Sequence, residues 1–183
     1  PFTTFKVGGY ADYFCSVTSI DELREALLFT KERSLPFFVL GGGSNVLVSD
    51  QGFPGLAIHM RCGTVTLLPL DGTFVELSAG GGVDWDVLVA RAAEEVLYGI
   101  ENLSGSPGSV GATVIQNVGA YGVEVCESIA RVESFDPDLM GIRTFKNDEC
   151  ALGYRNSFFK TPEGSRFIVT RVVFRLKKKG VLN

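Results

Sequence analysis

A glycine-rich segment from Gly105 to Gly122 is the part of this chain best suited to contact a ligand. The segment, GSPGSVGATVIQNVGAYG, combines five glycines and one proline with the polar pair Gln116-Asn117 in small, apolar surroundings. Glycine has no Cβ, so backbone N–H groups can approach a ligand closely, and it accepts positive φ. The pattern predicts close backbone approach to a bound molecule. The two amides could equally hydrogen-bond the loop's own backbone.

A second glycine-rich loop, Gly41-Gly42-Gly43-Ser44-Asn45, lies earlier in the chain. It follows the apolar run Phe37 to Leu40, which predicts a buried strand. Successive backbone N–H groups in a strand-to-loop turn bind anions such as phosphate, and Ser44 and Asn45 add side-chain donors. Two such loops in one small chain predict a large ligand with a diphosphate. A tight turn that requires positive φ is the structural alternative for both loops.

Other nucleotide and metal motifs do not occur in the sequence. No Gly-Lys-Ser or Gly-Lys-Thr follows the glycines, and no GxGxxG motif opens a helix, which argues against P-loop and Rossmann-type sites. The four cysteines form no CxxC pair and His59 is the only histidine. We therefore expect no metal site and reduced thiols.

Charge and hydropathy exclude further classes of protein. The net charge is -4, and the basic residues are scattered apart from the run 177–179, so we expect no nucleic-acid partner. The sequence contains neither a secretory leader nor an apolar run of about eighteen residues, so we expect no membrane contact and a cytoplasmic location. We expect a monomer.

The elements that would position these loops can be predicted from apolar periodicity. Ser19 and Glu22 form the pattern of a capping box, which predicts the start of a helix. Asp84 is a predicted N-cap for a second helix, whose buried face would include Trp85 and Val96. The predicted strands span 11–17, 37–40, 56–60, 65–68, 74–79, 129–135, 142–145 and 168–176. The order predicts a small α/β unit followed by a larger sheet with helices.

Taken together, the motifs are similar to those of the UDP-N-acetylenolpyruvoylglucosamine reductases, flavoproteins of bacterial cell-wall precursor synthesis. The resemblance covers essentially the whole chain, and its motifs occur in the family's order and at about the family's spacing. The matching segments are Thr4-Phe5, LGGGSNVL at 40–47, Gly80 to Gly82 with Trp85, GIENL at 99–103, SPGSVGATVIQNVGAYG at 106–122, and GYRNSFFK at 153–160.

The resemblance implies an α+β fold, namely the two-subdomain FAD-binding fold of the vanillyl-alcohol-oxidase type. It implies a small α/β subdomain at 1–62, a larger α+β subdomain at 63–183, and noncovalent FAD. The diphosphate would lie at the GGGSN loop and the isoalloxazine along the second glycine-rich segment. The implied cofactor contacts are Gly41, Gly42, Gly43, Ser44, Asn45, Val46, Ser106, Gly108, Gly111, Ala112, Thr113, Ile115, Gly119, Gly122 and Val169.

The resemblance also implies a reaction, in which NADPH is the hydride source and UDP-N-acetylenolpyruvoylglucosamine is the substrate. Arg155 matches the family's catalytic arginine, which would bind the substrate carboxylate and stabilise enolate-like charge in the transition state. Tyr154 is a second candidate for substrate contact, with packing as its alternative. A surface or interdomain salt bridge is the alternative role of Arg155.

The resemblance implies a third, substrate-binding domain after the strand predicted to end near Leu176, and we expect this sequence of 183 residues to lack that domain. We therefore expect FAD binding but poor turnover. Two other functions stay open. One is another FAD-dependent oxidoreductase of the same fold, and the other is a nucleotide-binding module without catalysis.

Overall fold

The computed structural model describes residues 2–178, so Lys179 and the end of the predicted 63–183 subdomain lie outside the described part. The α-helices of the described residues are α1 (Ile20–Glu32), α2 (Trp85–Glu94) and α3 (Val110–Gln116). The strands are β1 (Ala11–Val17), β2 (Phe37–Leu40), β3 (Phe53–Met60), β4 (Val65–Pro69), β5 (Phe74–Gly80), β6 (Leu97–Tyr98), β7 (Gly119–Ala120), β8 (Val123–Glu124), β9 (Ile129–Asp136), β10 (Gly141–Lys146) and β11 (Ile168–Lys178).

The N-terminal sheet has three parallel strands in the order β1-β3-β2. Helix α1 connects β1 to β2, and its start is the predicted one, because Ser19 Oγ accepts from Glu22 N at 3.2 Å. The Glu22 carboxylate in turn accepts from Thr18 N at 2.6 Å. Leu23 and Leu27 of α1 are buried against this sheet in a small apolar core. The predicted helix start and apolar helix face are confirmed, although Glu22 bonds Thr18 N, one residue before the N-cap N–H that a regular capping box uses.

The larger sheet is antiparallel along the order β10-β9-β11-β5-β4, with β6 added beside β11. Its central strand β11 does not keep the strict alternation of a regular strand, because the pairing with β9 shifts between Val169 and Arg171. Such a bulge changes which face the following side chains occupy. Ile168 therefore packs in the small core, while Val169 and Val172 both belong to the large one.

Helix α2 anchors the large core through Trp85. The Asp84 carboxylate caps the helix by accepting from Asp86 N and Val87 N at 3.0 and 3.2 Å. The Trp85 ring is fully buried, and its Nε1 donates to Leu103 O at 2.9 Å. Both predictions are confirmed. The helix ends at Glu94, however, and Val96 has a φ of 55° and is 52% exposed, so its predicted place on the buried face is wrong.

The two sheets lie on either side of the predicted division at residue 62, since β3 ends at Met60 and β4 begins at Val65. Phe135 and Ile168 of the larger sheet pack into the small core, so the two layers share an apolar contact. Their division into FAD-binding subdomains stays a prediction. Within residues 2–178, every helix is too short or too polar to span a membrane.

Candidate functional site

The two glycine-rich loops meet in space. A Cβ built on Gly42 would lie 2.9 Å from the Cα of Gly108, although the two residues are far apart in sequence. Ser44 Oγ also donates to Pro107 O at 3.4 Å. Only glycine at position 42 permits this approach, because a side chain would collide with backbone atoms. The loops therefore form two adjoining walls of one site.

A third glycine run, Gly80 to Gly82, holds the second loop in place. Gly111 N donates to Gly81 O at 2.9 Å, and Val110 N donates to Val83 O at 2.9 Å. A Cβ on Gly81 would lie 2.4 Å from Val169 O, so this segment also packs tightly against β11. The start of α3 is thus fixed against the large sheet. The sequence analysis named the glycines at 80–82 only as a segment that matches the family and missed this role.

Between the walls lies a cavity of about 370 Å³. That volume falls within the range of about 300–1,000 Å³ found for small-molecule sites. Many of the predicted cofactor contacts line it. These are Gly41, Gly42, Gly43, Ser44, Asn45, Val46, Gly111, Ala112, Ile115 and Val169.

Five other predicted contacts lie outside the lining of this cavity, namely Ser106, Gly108, Thr113, Gly119 and Gly122. Gly108 supports the Gly42 wall. Thr113 is buried, and its hydroxyl donates to Val110 O at 2.7 Å within α3. Contact of these five with a cofactor stays a prediction.

The apolar part of the lining was missed by the sequence analysis. It includes Phe37, Val39, Met60, Phe159, Phe167 and Ile168, and the polar Ser109 lies beside them. Phe37 and Val39 alternate along β2 with the spacing that leads to Gly41, but Phe38 between them also lines the cavity, so a strand-face argument would have identified only part of this wall. Phe159 and Phe167 reach the cavity only through tertiary folding.

The Gln116-Asn117 pair divides between two roles. Asn117 is buried with a φ of 41°, and its Nδ2 donates to Gly153 O at 2.9 Å and to Glu124 Oε2 at 3.0 Å. Its Oδ1 accepts from Cys126 N at 3.2 Å. All of these partners belong to the protein, so Asn117 ties the end of α3 to neighbouring segments. Gln116, by contrast, lines the cavity.

Arg155 lies in a tight turn near this end of α3. Gly153 and Asn156 exchange two backbone hydrogen bonds of 3.0 Å, and Arg155 between them has a φ of 52°. Few residues other than glycine adopt such a φ, and strain of this kind is concentrated at functional sites. The exposed guanidinium donates to Gly119 O at 3.3 Å. Tyr154 beside it is 84% exposed and lies outside the lining of the cavity.

The residues present fit FAD. Within the described chain, the backbone N–H groups of residues 42–45 have no protein acceptor, which leaves four successive donors at the loop. Such a row of donors suits a diphosphate. The apolar side chains of β2, β11 and the segment at 158–167 suit a flat ring system. Gln116 and Asn45 add polar groups to the same cavity.

Comparison with known proteins gives the same result. The family model described as FAD binding domain matches residues 11–138. The chain is 41% identical to UDP-N-acetylenolpyruvoylglucosamine reductase of Thermobifida fusca over 97% of this chain and 49% of that protein. The crystal structure of UDP-N-acetylenolpyruvylglucosamine reductase from Thermus caldophilus matches with a TM-score of 0.77 and 33% identity, over 98% of this chain and 60% of that one.

More distant structures show the fold alone. Cholesterol oxidase from B. sterolicum matches with a TM-score of 0.64 at 12% identity, over 90% of this chain and 34% of that one. These similarities confirm the predicted α+β FAD-binding fold of the vanillyl-alcohol-oxidase type. The chain spans about half the length of the curated relatives it matches. It belongs to the FAD binding domain family and resembles, along nearly its whole length, the UDP-N-acetylenolpyruvoylglucosamine reductases.

Proposed function

We propose that this chain is the FAD-binding part of a reductase that uses NADPH to reduce the enolpyruvyl group of UDP-N-acetylenolpyruvoylglucosamine. The product, UDP-N-acetylmuramate, would serve peptidoglycan precursor synthesis. The observation that carries the proposal is the contact between Gly42 and Gly108, which unites two motifs of these reductases around one cavity. Relatives with this name are 38–45% identical over nearly the whole chain.

The chain's own residues would hold the cofactor at two places. The free backbone N–H groups of residues 42–45 would bind the diphosphate, and the hydroxyl of Ser44 lies beside them. Phe37, Val39 and Ile115 would pack against apolar ring surface and exclude water. When bound, FAD supplies the hydride chemistry that no side chain can perform.

Arg155 would bind the substrate carboxylate. A guanidinium stays charged at working pH, and its planar fork matches a carboxylate with two parallel hydrogen bonds. The group is exposed, and within residues 2–178 its one hydrogen-bond partner is Gly119 O, so it can bind a ligand without breaking an ion pair. A fixed cation there stabilises enolate-like charge as it develops in the transition state.

The proton for this reduction would come from outside the described chain. Ser157 is close to Arg155 in sequence, but it is 1% exposed and its hydroxyl donates to Ile115 O at 2.9 Å. General acid catalysis typically contributes ~10²–10⁴ in rate. We therefore propose that the chain alone binds FAD and turns over poorly, and that the longer reductase supplies the acid. A cytoplasmic monomer belongs to the same proposal.

The experiment that tests this function is an absorption spectrum of the purified chain after incubation with FAD and removal of the excess. We expect a flavin spectrum that leaves entirely with the supernatant after acid precipitation. Colour that stays with the precipitated protein would favour a covalent flavoenzyme of the same fold. A colourless protein that binds ATP or ADP would instead favour a nucleotide-binding module.

The role of Arg155 is tested in a full-length reductase that contains this segment. Arg155→Lys keeps the charge but loses the fork, so FAD should stay bound while reoxidation of the reduced enzyme by the enolpyruvyl substrate slows. Loss of one hydrogen bond to a charged group predicts roughly a 10- to 150-fold effect. Stopped-flow absorbance measures both steps. If Arg155→Lys changes neither the rate of reoxidation by the substrate nor the rate of reduction by NADPH, Arg155 has no part in the mechanism.

A further inference from the structure

Lys160 connects the cavity wall to the Arg155 turn. Its ammonium donates to Gln116 Oε1 at 2.8 Å and to Arg155 O at 2.7 Å. Gln116 is the last residue of α3 and lines the cavity, whereas Arg155 lies in the strained turn at 153–156. One side chain therefore contacts the proposed cofactor site and the proposed substrate site.

The contact with Lys160 sets the polarity of the Gln116 amide. A lysine ammonium has three donors and no acceptor, so only the amide oxygen can face it. The amide NH₂ group is then the end that remains for other partners. Without Lys160, the two ends of the amide could exchange places at little cost. Lys160 thus makes Gln116 a hydrogen-bond donor at the edge of the cavity.

The second contact of Lys160 bears on the backbone of Arg155. A positive φ is unfavourable for an arginine and persists only where surrounding contacts over-determine it. The turn is already closed by the Gly153 and Asn156 backbone pair, and Lys160 holds the carbonyl between them. The same ammonium therefore couples the position of the Arg155 turn to the orientation of Gln116.

We propose that Lys160 is a positioning residue that directs the Gln116 amide NH₂ towards an acceptor atom of FAD and holds the Arg155 turn beside it. The inference rests on the proposed function, because it takes FAD as the ligand of the cavity. The acceptor would be a carbonyl oxygen or an unprotonated ring nitrogen of the flavin, since only these ring atoms complement an amide donor.

The first test uses the chain without FAD. The side-chain amide NMR signals of Gln116 are assigned from their loss in Gln116→Met. We expect these signals to shift in Lys160→Met, which keeps the aliphatic stem but has no donor, and to return in Lys160→Arg. Lys146→Met, on the exposed edge strand β10, is the matched control and should leave the signals unchanged. Unchanged signals in Lys160→Met would overturn the orienting role.

The second test measures FAD affinity and the visible spectrum of the bound flavin. Lys160→Met and Gln116→Met should each weaken FAD about tenfold, as expected for one hydrogen bond, and should shift the flavin absorbance. The double variant should bind no more weakly than Gln116→Met, because Lys160 acts through that amide. Lys160→Arg should restore both affinity and spectrum.

The outcomes separate this inference from the function on which it rests. A wild-type chain that binds no FAD overturns the proposed function, together with the donation to flavin. If the wild-type chain binds FAD but the losses of affinity in the two single variants multiply in the double variant, only the role of Lys160 is overturned. Equal FAD affinity in Lys160→Met and Lys146→Met would also overturn only the role of Lys160.

Discussion

Substitution of Gly42 by alanine tests whether the two glycine walls must touch for the cofactor to bind. The added Cβ would lie 2.9 Å from the Cα and 3.1 Å from the carbonyl carbon of Gly108, whereas ordinary contacts begin at 3.4 Å. The loops would have to separate by about 0.5 Å, and overpacking of this kind costs about 1–3 kcal/mol. Because Gly42 is exposed, the loop of the ligand-free chain can move away from Gly108. The free-energy cost of overpacking should therefore appear when FAD binds, since FAD needs both walls in contact.

We therefore expect Gly42→Ala to weaken FAD binding by roughly 5- to 150-fold, with a smaller effect on the stability of the chain without FAD. Titration of FAD into the apoprotein measures the affinity, and thermal unfolding without FAD measures stability. Gly72→Ala is the matched control, since a Cβ at Gly72 meets nothing within 4 Å. FAD affinity in Gly42→Ala equal to that in Gly72→Ala would refute the two-wall site.

Two further predictions concern the scaffold that holds the second glycine loop. Backbone donation from Gly105 N, and then the Ser104 hydroxyl, hold the pKa of Asp86 below its ordinary value of 3.8. Asp86 should therefore stabilise the fold above that pH and lose its effect as the pH falls through the lowered pKa. Urea unfolding should show Asp86→Asn less stable than wild type at neutral pH and equal to it in strong acid; a constant difference would contradict this. Trp85→Phe removes the indole donor and leaves the Leu103 carbonyl with only the longer bond of 3.4 Å from Ser106 N. Urea unfolding should therefore show a loss of about 0.5–1.5 kcal/mol for that hydrogen bond, and an unchanged midpoint would show that the bond from Ser106 N suffices.

Local sequence patterns predicted most of the elements, because their causes are local. The Ser19 and Asp84 caps are short-range hydrogen bonds, and the strands at 65–69 and 74–80 follow a two-residue alternation. Val96 was placed wrongly because apolar spacing continues past the point where α2 ends. The bulge near Thr170 was likewise invisible, since it depends on the pairing of β11 with β9.

The candidate site was predicted in part. Glycine is required wherever two backbones approach closely, and this requirement marks the loops at 41–43 and 105–122 directly in the sequence. The apolar lining from Phe159 and Phe167 has no such local mark, because an apolar side chain looks the same in a core as in a cavity wall. Residue types along the chain therefore identified the two loops but not the whole cavity.

By itself, the sequence determined the local elements, the two glycine loops and the class of ligand that such loops suit, since each depends on residue type and spacing. Only the tertiary structure decided that Gly42 meets Gly108, that Gln116 faces the cavity while Asn117 ties segments together, and that Lys160 bridges to Arg155. The physical reason is that these contacts join residues far apart in the chain. Their geometry is set by the packing of α3 against β11 and the third glycine run, which no local pattern encodes.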